Sequence, residues 1–541
     1  MQRTSRLTLL TLALLIITTN LYPCTNFIVT KGASKDGSVM ITYSADAGGF
    51  MDPLYFSPAQ NHSEEFLDIY DWDSQKYLGK IKQVPYTYHV VGNINEHQVA
   101  IGETTFTGRE ELRDTNGKVD YGSLMNLALQ RSKTAREAIK VITDLVAEYG
   151  YYSTGESFSI ADANEAWILE MIGKGPKEKG AVWVAVRIPD GYVSAHANQS
   201  RIHEFPLNDK ENCIYSSDVI DFAIKKGYYD PKQGKKFSFA NAYNPLDPGG
   251  ALYCEGRVWS LFRRSAPSQH FSEDYWRAVK GAEPYPLYIK PDKKLDVQDV
   301  IDLMRDHFEG TDYDMTKGLA AEPYGNPNRW KPLEFKIDGD TMTYGWERPI
   351  STQQTAFSFV TQARSHLPNH IGGIIWYGVD DNYSTVYHPL YCGIKDIPPS
   401  LIGGSIGEFD FNKAFWVFNL VANLAYTKYS YIIKDIQQVQ KELEDKFFAY
   451  QPAIEQAALE LNKKRAELSK EYLTEYSINQ AEMVVSRWQE LWKYLVVKYN
   501  DGYINDVNVS NGRSPKGVGY GNDFFKKVIK ERPGYYDVKW R

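Results

Sequence analysis

Apolar and polar residues alternate over short runs in the first half of the chain, which is the pattern of β-strands. The first two predicted strands cover residues 26–30 and 39–43, with a glycine-containing turn between them. Further strand pairs are predicted over residues 89–103, 158–171 and 182–195. The chain is therefore expected to build sheets from strands that are neighbours in sequence.

Three- and four-residue spacing of apolar residues predicts two helical regions. The first covers residues 123–149 and is broken just before Thr134, which forms a capping-box sequence with Glu137. The second runs from about residue 408 to 498, and Pro452 is expected to open a new helix within it. This order of elements suits sheets covered by helices, so the predicted fold class is α+β with an appended C-terminal helical region.

Residues 1–23 have the pattern of an export signal. Arg3 and Arg6 precede an apolar run at residues 7–17, which is shorter than the roughly 20 residues that span a bilayer. A membrane anchor or a buried helix is the alternative interpretation of this run. No later segment has about 18 consecutive apolar residues. The mature chain is therefore predicted to have no stable membrane span and to be exported, to the periplasm or outside the cell.

The composition argues against several classes of partner. The net charge is −7 and no basic block stands out, so nucleic acid is not expected as a partner. The glycine-rich runs lack the strand–helix context of nucleotide-binding loops, and no cofactor is predicted. The predicted organisation is a signal peptide or propeptide at residues 1–23, a large domain at 24–407 and a helical region at 408–541. The helical region is expected to be a scaffold or a homo-oligomer contact.

The four cysteines are Cys24, Cys213, Cys254 and Cys392. They form no CxxC pair and have no ligand spacing with histidine, so no metal site is predicted. An even number of cysteines in an exported protein suggests disulfides. If Cys24 is a free thiol, at most one bridge remains, and Cys213–Cys254 is our guess for it.

Cys24 follows the apolar leader and begins the first predicted strand. It is a lipid anchor, half of a disulfide, or a nucleophile that becomes the first residue of the mature chain. In the third case its α-amine, with an ordinary pKa of about 7.7–8.0, acts as the base for its own thiol, whose ordinary pKa is about 8.5. Pro23 is a poor match to lipoprotein processing, which prefers a small residue before the cysteine.

The segment CTNFIV at residues 24–29 resembles the amino end of the dipeptidase A and secernin family. These proteins are cysteine N-terminal nucleophile (Ntn) hydrolases, related to bile-salt hydrolases and penicillin V acylases. Similar motifs continue in order to about residue 430, among them TAREAI at 134–139, FSIADANEAWILE at 158–170 and YVSAHANQSRI at 192–202. The resemblance implies a four-layer αββα sandwich, with residues 24–407 as the catalytic domain. It also implies hydrolysis of an amide bond, most typically in a dipeptide.

Four positions carry over as catalytic residues from this resemblance. Cys24 matches the nucleophile, and Asp46 matches the acid that holds the α-amine. Asn198 resembles the side-chain amide donor of an oxyanion hole. Arg257 resembles an arginine that lies near the nucleophile in the related acylases.

The motif around Asp46 departs from the family pattern. The family has an arginine and an asparagine where this chain has Tyr43 and Ser44. A cation is therefore missing at that place in the sequence. Either another arginine replaces it or catalysis rests on Asp46 alone.

Three further residues are predicted to bind substrate. The resemblance implies that Glu103, Thr104 and Thr105 face the pocket, and Glu103 is the first candidate for holding a substrate ammonium. In the related amidases the position of Thr105 is an asparagine. The run Asp-Asp-Asn at residues 380–382 offers ligands for a peptide amino group or for calcium, although a solvated turn is the simpler interpretation.

Three functions remain open at this point. The first is an exported cysteine dipeptidase that acts on small peptides through a thioester. The second keeps the same chemistry but cleaves an N-acyl amide, such as a conjugated bile acid or an acyl amino acid, in an apolar pocket. The third is a non-catalytic surface lipoprotein that carries lipid on Cys24.

Overall fold

The computed structural model of the protein describes residues 24–48, 54–508 and 515–538. The predicted export signal at residues 1–23 lies outside this described part. Two large sheets, three two-stranded sheets and a helical C-terminal region make up the described chain, and the strand pairs within the sheets are antiparallel. The mixed α and β class with an added helical region is therefore confirmed.

The strands of the described residues are, in chain order, β1 (Cys24–Val29), β2 (Met40–Ala45), β3 (Phe56–Ser57), β4 (Gln60–Asn61), β5 (Phe66–Tyr70), β6 (Tyr77–Lys82), β7 (Tyr86–Thr87), β8 (Val90–Val91), β9 (Ile94–Asn95), β10 (Ala100–Phe106), β11 (Gly155–Ala161), β12 (Ala166–Gly173), β13 (Ala181–Arg187), β14 (Val193–His196), β15 (Cys213–Tyr215), β16 (Tyr288–Ile289), β17 (Glu334–Phe335), β18 (Tyr344–Gly345), β19 (Phe357–Gln362), β20 (Ile374–Val379) and β21 (His388–Tyr391).

The α-helices are α1 (Tyr121–Arg131), α2 (Ala135–Tyr149), α3 (Val219–Lys226), α4 (Phe239–Tyr243), α5 (Gly256–Ser265), α6 (Val297–Met304), α7 (Asn369–Gly372), α8 (Ala414–Thr427), α9 (Tyr429–Lys464), α10 (Ala466–Lys498) and α11 (Asn522–Glu531). The predicted break between α1 and α2 is confirmed, and the Thr134 side chain accepts a hydrogen bond from the N–H of Glu137 at 3.2 Å.

The first sheet has seven strands in the order β16-β14-β1-β2-β19-β20-β21. Its register brings several strand ends to one edge, because Cys24 lies opposite Ala45 and Ala45 lies opposite Phe357. The residue after Ala45 is Asp46. The start of β1 and the end of β2 therefore place Cys24 and Asp46 side by side.

The second sheet has eight strands in the order β15-β13-β12-β11-β10-β9-β8-β3. Its strand β10 lies against β1 and β2 of the first sheet. Gly102 permits this approach, because a Cβ at that position would lie 3.0 Å from the Asn26 side chain and 3.2 Å from the Thr42 carbonyl. The close contact brings Glu103, the next residue of β10, to the edge where Cys24 lies.

Helices contact both sheets. On the second sheet α1 contacts β10, and α2 contacts β11, β12 and β13. On the first sheet α5 contacts β14, α6 contacts β19, and α8 contacts β20. The long helices α9 and α10 pack on each other and on β21. Among the described residues, no helix combines the length and the apolar character that crossing a membrane requires.

Two arginine–glutamate ion pairs join α9 to the rest of the molecule. Arg364 donates to both carboxylate oxygens of Glu455, at 2.7 and 2.9 Å. Arg305 donates to both oxygens of Glu444, at 2.6 and 3.0 Å. Bidentate pairs of this kind fix orientation as well as distance, so α9 is held firmly on the first sheet.

The expectation that Pro452 opens a helix is wrong, because Pro452 lies inside α9. Proline removes one backbone hydrogen bond from a helix interior. The turns on either side of it are anchored independently. Phe448 packs on Trp376 with ring centroids 4.6 Å apart, and Glu455 is held by Arg364. The packing therefore keeps the helix continuous.

The guessed disulfide Cys213–Cys254 is also wrong, because Cys213 and Cys254 are both buried as free thiols. Cys213 lies on β15, opposite Val186 at the edge of the second sheet. Cys254 lies in the helical turn that leads into α5, which packs on the first sheet. Cys213 thus lies on the second sheet, Cys254 lies in a helical turn, and the two are not joined.

Candidate active site

The thiol of Cys24 is buried at the edge of the first sheet, next to one carboxyl group and one phenol. Its Sγ lies 3.5 Å from Glu103 Oε1 and 3.8 Å from the Tyr43 hydroxyl. Burial, followed by the negative charges of Glu103 and Asp46, raises the pKa of the Cys24 thiol well above its ordinary value. The thiol therefore stays protonated at neutral pH unless a base takes its proton.

The backbone nitrogen of Cys24 is held by the Asn198 side chain. It donates to Asn198 Oδ1 at 2.6 Å. The Asn198 amide nitrogen donates to the Thr105 carbonyl at 2.7 Å. Asn198 has a φ of 59°, in the left-handed region that non-glycine residues seldom adopt. Its backbone is strained at the position where its side chain meets Cys24.

Arg257, which lies on α5, donates hydrogen bonds to both Cys24 and Asn198. It is fully buried and donates to the Cys24 carbonyl, to Thr25 Oγ1 at 2.8 Å and to Asn198 Oδ1 at 3.0 Å. Burial, with Arg348 as the next cause, lowers the pKa of Arg257 to about 10, so the guanidinium keeps its charge at neutral pH. Arg257 fixes the start of β1 relative to Asn198.

Asp46 is paired with an arginine that sequence reasoning missed. Its carboxylate accepts from Arg348, from Thr355 Oγ1 at 2.6 Å and from Ser44 Oγ at 2.7 Å. Arg348 lies in the irregular stretch between β18 and β19, with 2% of its side chain exposed. The cation that the sequence lacks at Tyr43 is thus supplied next to Asp46 from 302 residues further along the chain. The signal in the sequence was the missing arginine at Tyr43, which left replacement by another arginine as one alternative without saying which.

Glu103 and Glu156 form a second acidic pair beside the thiol. The Tyr43 hydroxyl donates to Glu103, and Thr105 Oγ1 donates to Glu156 Oε2 at 2.9 Å. Burial, followed by the charge of Glu103, raises the pKa of Glu156 well above its ordinary value. Burial also raises the pKa of Glu103. Thr105 Oγ1 also lies 3.5 Å from Glu103 Oε2, so one hydroxyl contacts both carboxyl groups, and the charge of Glu103 disfavours ionisation of Glu156.

Thr104 contacts a histidine instead of this pair. Its Oγ1 lies 2.7 Å from His196 Nδ1, and His196 Nε2 lies 2.7 Å from Ser159 Oγ. Burial lowers the pKa of His196 to about 3, so the ring is neutral. Successive side chains of a strand point to opposite faces, which separates Thr104 from Glu103 and Thr105. The described lining of the Cys24 pocket includes Glu103 but neither threonine.

The Cys24 pocket has polar lining residues and an apolar wall. Its empty space, counted together with the solvent at its mouth, is about 730 Å³. Trp72, Phe357 and Tyr377 are part of the apolar wall. The polar lining includes Cys24, Tyr43, Asp46, Asp73, Glu103 and Tyr121. The thiol of Cys24 is thus among the groups that a molecule entering this pocket meets.

Comparison with known proteins identifies the family. The model of peptidase family C69 matches residues 66–442. The chain belongs to peptidase family C69. The matched region contains Glu103, Asn198, Arg257 and Arg348, and it begins after Cys24.

Curated relatives in this family carry dipeptidase names. The chain is 28% identical over 406 residues to the "Probable dipeptidase" of Salmonella dublin, covering 71% of this chain and 84% of the relative. It is 26% identical over 428 residues to "Probable dipeptidase B" of Lactococcus lactis, covering 76% and 82%. It is 25% identical over 448 residues to "Dipeptidase A" of Lactobacillus helveticus, covering 78% and 84%. The resemblance to the dipeptidase A family is therefore confirmed.

The Asp-Asp-Asn run lies outside the Cys24 pocket, and its first residue lines a separate one. All three side chains are buried, so the interpretation as a solvated turn is wrong. Asp381 accepts from Ser351 Oγ at 2.7 Å and from the Tyr426 hydroxyl at 2.9 Å. Asn382 donates to Ser44 Oγ at 3.1 Å. Within the described residues, no group of three or more His, Cys, Asp or Glu side chains is arranged to hold a metal ion.

Proposed function

We propose that this protein is an exported dipeptidase that uses Cys24 as an N-terminal nucleophile after residues 1–23 are removed. One observation carries the proposal: Cys24 opens β1 with its thiol in the acidic pocket and its backbone nitrogen on Asn198. Removal of the preceding residues would turn that nitrogen into a free α-amine. The dipeptidase names of the relatives support the choice of substrate.

The arrangement of layers supports the Ntn fold for this chain. The two large sheets meet where β1 and β2 lie against β10. The helices α1 and α2 contact the second sheet, and α5, α6 and α8 contact the first. We assign these elements to a four-layer αββα sandwich, with the nucleophile at the start of a central strand of the first sheet.

The α-amine of Cys24 is the base that the thiol requires. A buried thiol beside Glu103 and Asp46 does not ionise unaided at neutral pH. An α-amine has an ordinary pKa of about 7.7–8.0 and can take the thiol proton. The resulting ammonium also offsets the nearby carboxylate charges. The step is therefore a proton transfer within one residue.

The reaction then follows acyl transfer through a thioester. The thiolate attacks the scissile carbonyl carbon, the C=O π electrons move to the oxygen, and the C–N bond breaks as the ammonium returns its proton to the leaving amine. Water attacks the thioester while the α-amine takes a proton from it, and the thiolate leaves and regains that proton. The peptide is thereby split into an acid and an amine with no net change at Cys24.

Asn198 and a backbone N–H are the proposed donors to the developing oxyanion. The Asn198 side-chain amide accepts from the Cys24 N–H and donates to the Thr105 carbonyl, so it lies beside the nucleophile. Arg257 and Arg348 act as positioning residues in this scheme. Arg257 holds the Cys24 carbonyl, and Arg348 holds Asp46.

The carboxylates favour a peptide over the two rival functions. An N-acyl substrate has no ammonium and would meet Glu103 and Asp73 in its pocket without a charge to offset theirs. A lipid attached to Cys24 would have to reach the membrane from a residue that is only 3% exposed. Glu103 suits the ammonium of a dipeptide, as the sequence predicted.

Cysteine substitution tests the proposal. Cys24→Ala should lower dipeptide hydrolysis at least about a thousandfold, because the nucleophile and its thioester are lost. Cys213→Ala is the matched control, since Cys213 is also buried and free but lies on the edge of the second sheet. It should retain the rate of the unchanged protein. Equal activity of Cys24→Ala and the unchanged protein would contradict the proposal.

A further inference from the structure

The Cys24 pocket is acidic and has no basic side chain in its described lining. Asp46, Asp73 and Glu103 line it, together with Tyr43 and Tyr121. No lysine or arginine is among the described lining residues. The pocket therefore presents negative charge to whatever enters it.

The three carboxylates are not equally available to a ligand. Asp46 already accepts from Arg348 and Thr355. Glu103 contacts the thiol and Tyr43. Asp73 is different, because the residue keeps part of its surface in solvent and its carboxylate accepts from the Tyr121 hydroxyl at 2.9 Å. Asp73 is thus the carboxylate that is available to pair with a positive charge of a substrate in the Cys24 pocket.

The turn that carries Asp73 is fixed to the N-terminus of α1. It connects β5 to β6, and the Trp72 N–H donates to the Asp120 carboxylate. The Trp72 ring lies so close to Gly122 that a Cβ there would approach its Cγ to 2.5 Å. The contacts of Trp72 with Asp120 and Gly122 therefore hold the adjacent residue, Asp73, in place.

A substrate carboxylate finds no charged partner among the described lining residues, although the side-chain amides of Asn93 and Asn126 are part of that lining. Carboxylates in proteins bind arginine, lysine or the free N–H groups at the start of a helix. The nearest helix start is that of α1, where the Asp120 side chain caps the Ser123 N–H at 2.9 Å. Asp120 adds a further negative charge at that end. An ammonium, which offers three N–H donors, fits the same surroundings.

We infer that the pocket selects substrates by their α-ammonium group, held by Asp73 and Glu103, and pairs their C-terminal carboxylate with no charged side chain. The protein would then release the first residue from amidated dipeptides as well as from free dipeptides. The acyl group on Cys24 is that first residue, and the leaving amine is the second residue with its carboxylate or amide. This inference rests on the proposed peptidase function and names its substrate class.

Three substrates that share one peptide bond test it: Leu-Ala, Leu-Ala amide and N-acetyl-Leu-Ala. We expect kcat/KM for the amide to lie within about tenfold of the free dipeptide, with leucine and alanine amide as products. The acetylated peptide should lose at least about a hundredfold, because its ammonium is gone. An amide as poor as the acetylated peptide, or an acetylated peptide as good as the free one, would overturn the inference. Failure of all three would instead count against the proposed function.

The Asp73→Asn variant separates recognition from chemistry. It should raise KM for the free dipeptide and for its amide by about tenfold or more, with kcat nearly unchanged. Asp73→Glu should restore part of that loss. Asp68→Asn is the matched control, since Asp68 lies on β5, outside the pocket lining, with 48% of its side chain exposed. An unchanged KM in Asp73→Asn would contradict the role of Asp73.

Discussion

The carboxylates of the Cys24 pocket have different hydrogen-bond partners from those at the junction between α9 and the first sheet. At the junction, Glu444 and Glu455 each receive two hydrogen bonds from one arginine. In the pocket, Glu103 contacts a thiol and a phenol, and Asp73 contacts a phenol. The junction neutralises its charges, as a stable scaffold should. The pocket leaves negative charge that a positively charged substrate can meet.

Asp46 is the exception within the pocket, because Arg348 pairs with it as the junction arginines pair with their glutamates. This pairing fits a positioning role better than direct contact with substrate. The Arg348 guanidinium also offsets the charge of Asp46 without help from the ligand. The pocket thus combines one neutralised acid with two acids that remain available.

The largest expected effect is that of breaking the buried pair at Asp46. Arg348→Met leaves Asp46 buried without its partner, which should lower the free energy of unfolding by about 3–5 kcal/mol and abolish most activity. Arg305→Met at the junction should cost a similar amount but spare the activity of the folded fraction. Denaturant unfolding and dipeptide turnover measure the two effects.

A double variant sharpens this comparison. Asp46→Asn combined with Arg348→Met removes both charges and should recover part of the stability lost in Arg348→Met. It should not recover activity. Full activity in either variant would show that the pair at Asp46 is not needed for catalysis.

The next effect concerns Glu103. Glu103→Gln keeps the shape but removes the charge, and should lower kcat/KM for dipeptides by about 10–100-fold. The charge of Glu103 raises the pKa of the Cys24 thiol, so its loss should speed alkylation of that thiol while turnover falls. Glu455→Gln at the junction is the control and should change neither rate. Unimpaired dipeptide hydrolysis in Glu103→Gln would remove Glu103 from substrate binding.

The pH dependence of KM should report on Asp73. Desolvation by the pocket walls, with the nearby charges of Asp71, Glu103 and Asp120, raises the pKa of Asp73 to about 6, although the Tyr121 hydrogen bond opposes the shift. Above that pH the carboxylate is ionised and attracts an ammonium; below it the acid is neutral. KM for a dipeptide should therefore rise as pH falls through 6, and this inflection should be absent in Asp73→Asn. A KM that is constant through this range would count against the assignment.

The smallest effect is expected on the outer face of α2. Lys140 and Asp144 form an exposed ion pair at 2.6 Å, with side chains 73% and 63% exposed. Lys140→Gln should change the free energy of unfolding by no more than about 0.5 kcal/mol. A loss of unfolding free energy comparable to that of Arg305→Met would show that burial does not determine how much an ion pair stabilises this protein.

Local patterns in the sequence were sufficient for the elements around the site. The alternation that predicted β1 and β2 and the spacing that predicted α1 and α2 depend only on residues close in sequence. Pro452 was misjudged because the anchors of α9 on the first sheet come from distant residues. The disulfide guess failed for a similar reason, since spacing does not tell which sheet a cysteine joins.

The site itself was predicted in outline by the resemblance. Cys24, Asn198 and Arg257 meet in the structure. Their catalytic roles stay predictions. Arg348 and Asp73 were not found, because their contacts depend on irregular segments that carry no periodic pattern.

The mature N-terminus of the exported protein tests the central claim most directly. Intact mass and N-terminal sequencing, before and after mild thiol alkylation, should give an active chain that begins at Cys24. One fast-reacting thiol should be found, and its modification should abolish hydrolysis. An active chain that begins before Cys24, or a Cys24 that carries lipid, would contradict the account, because its α-amine would not be free to act as the base.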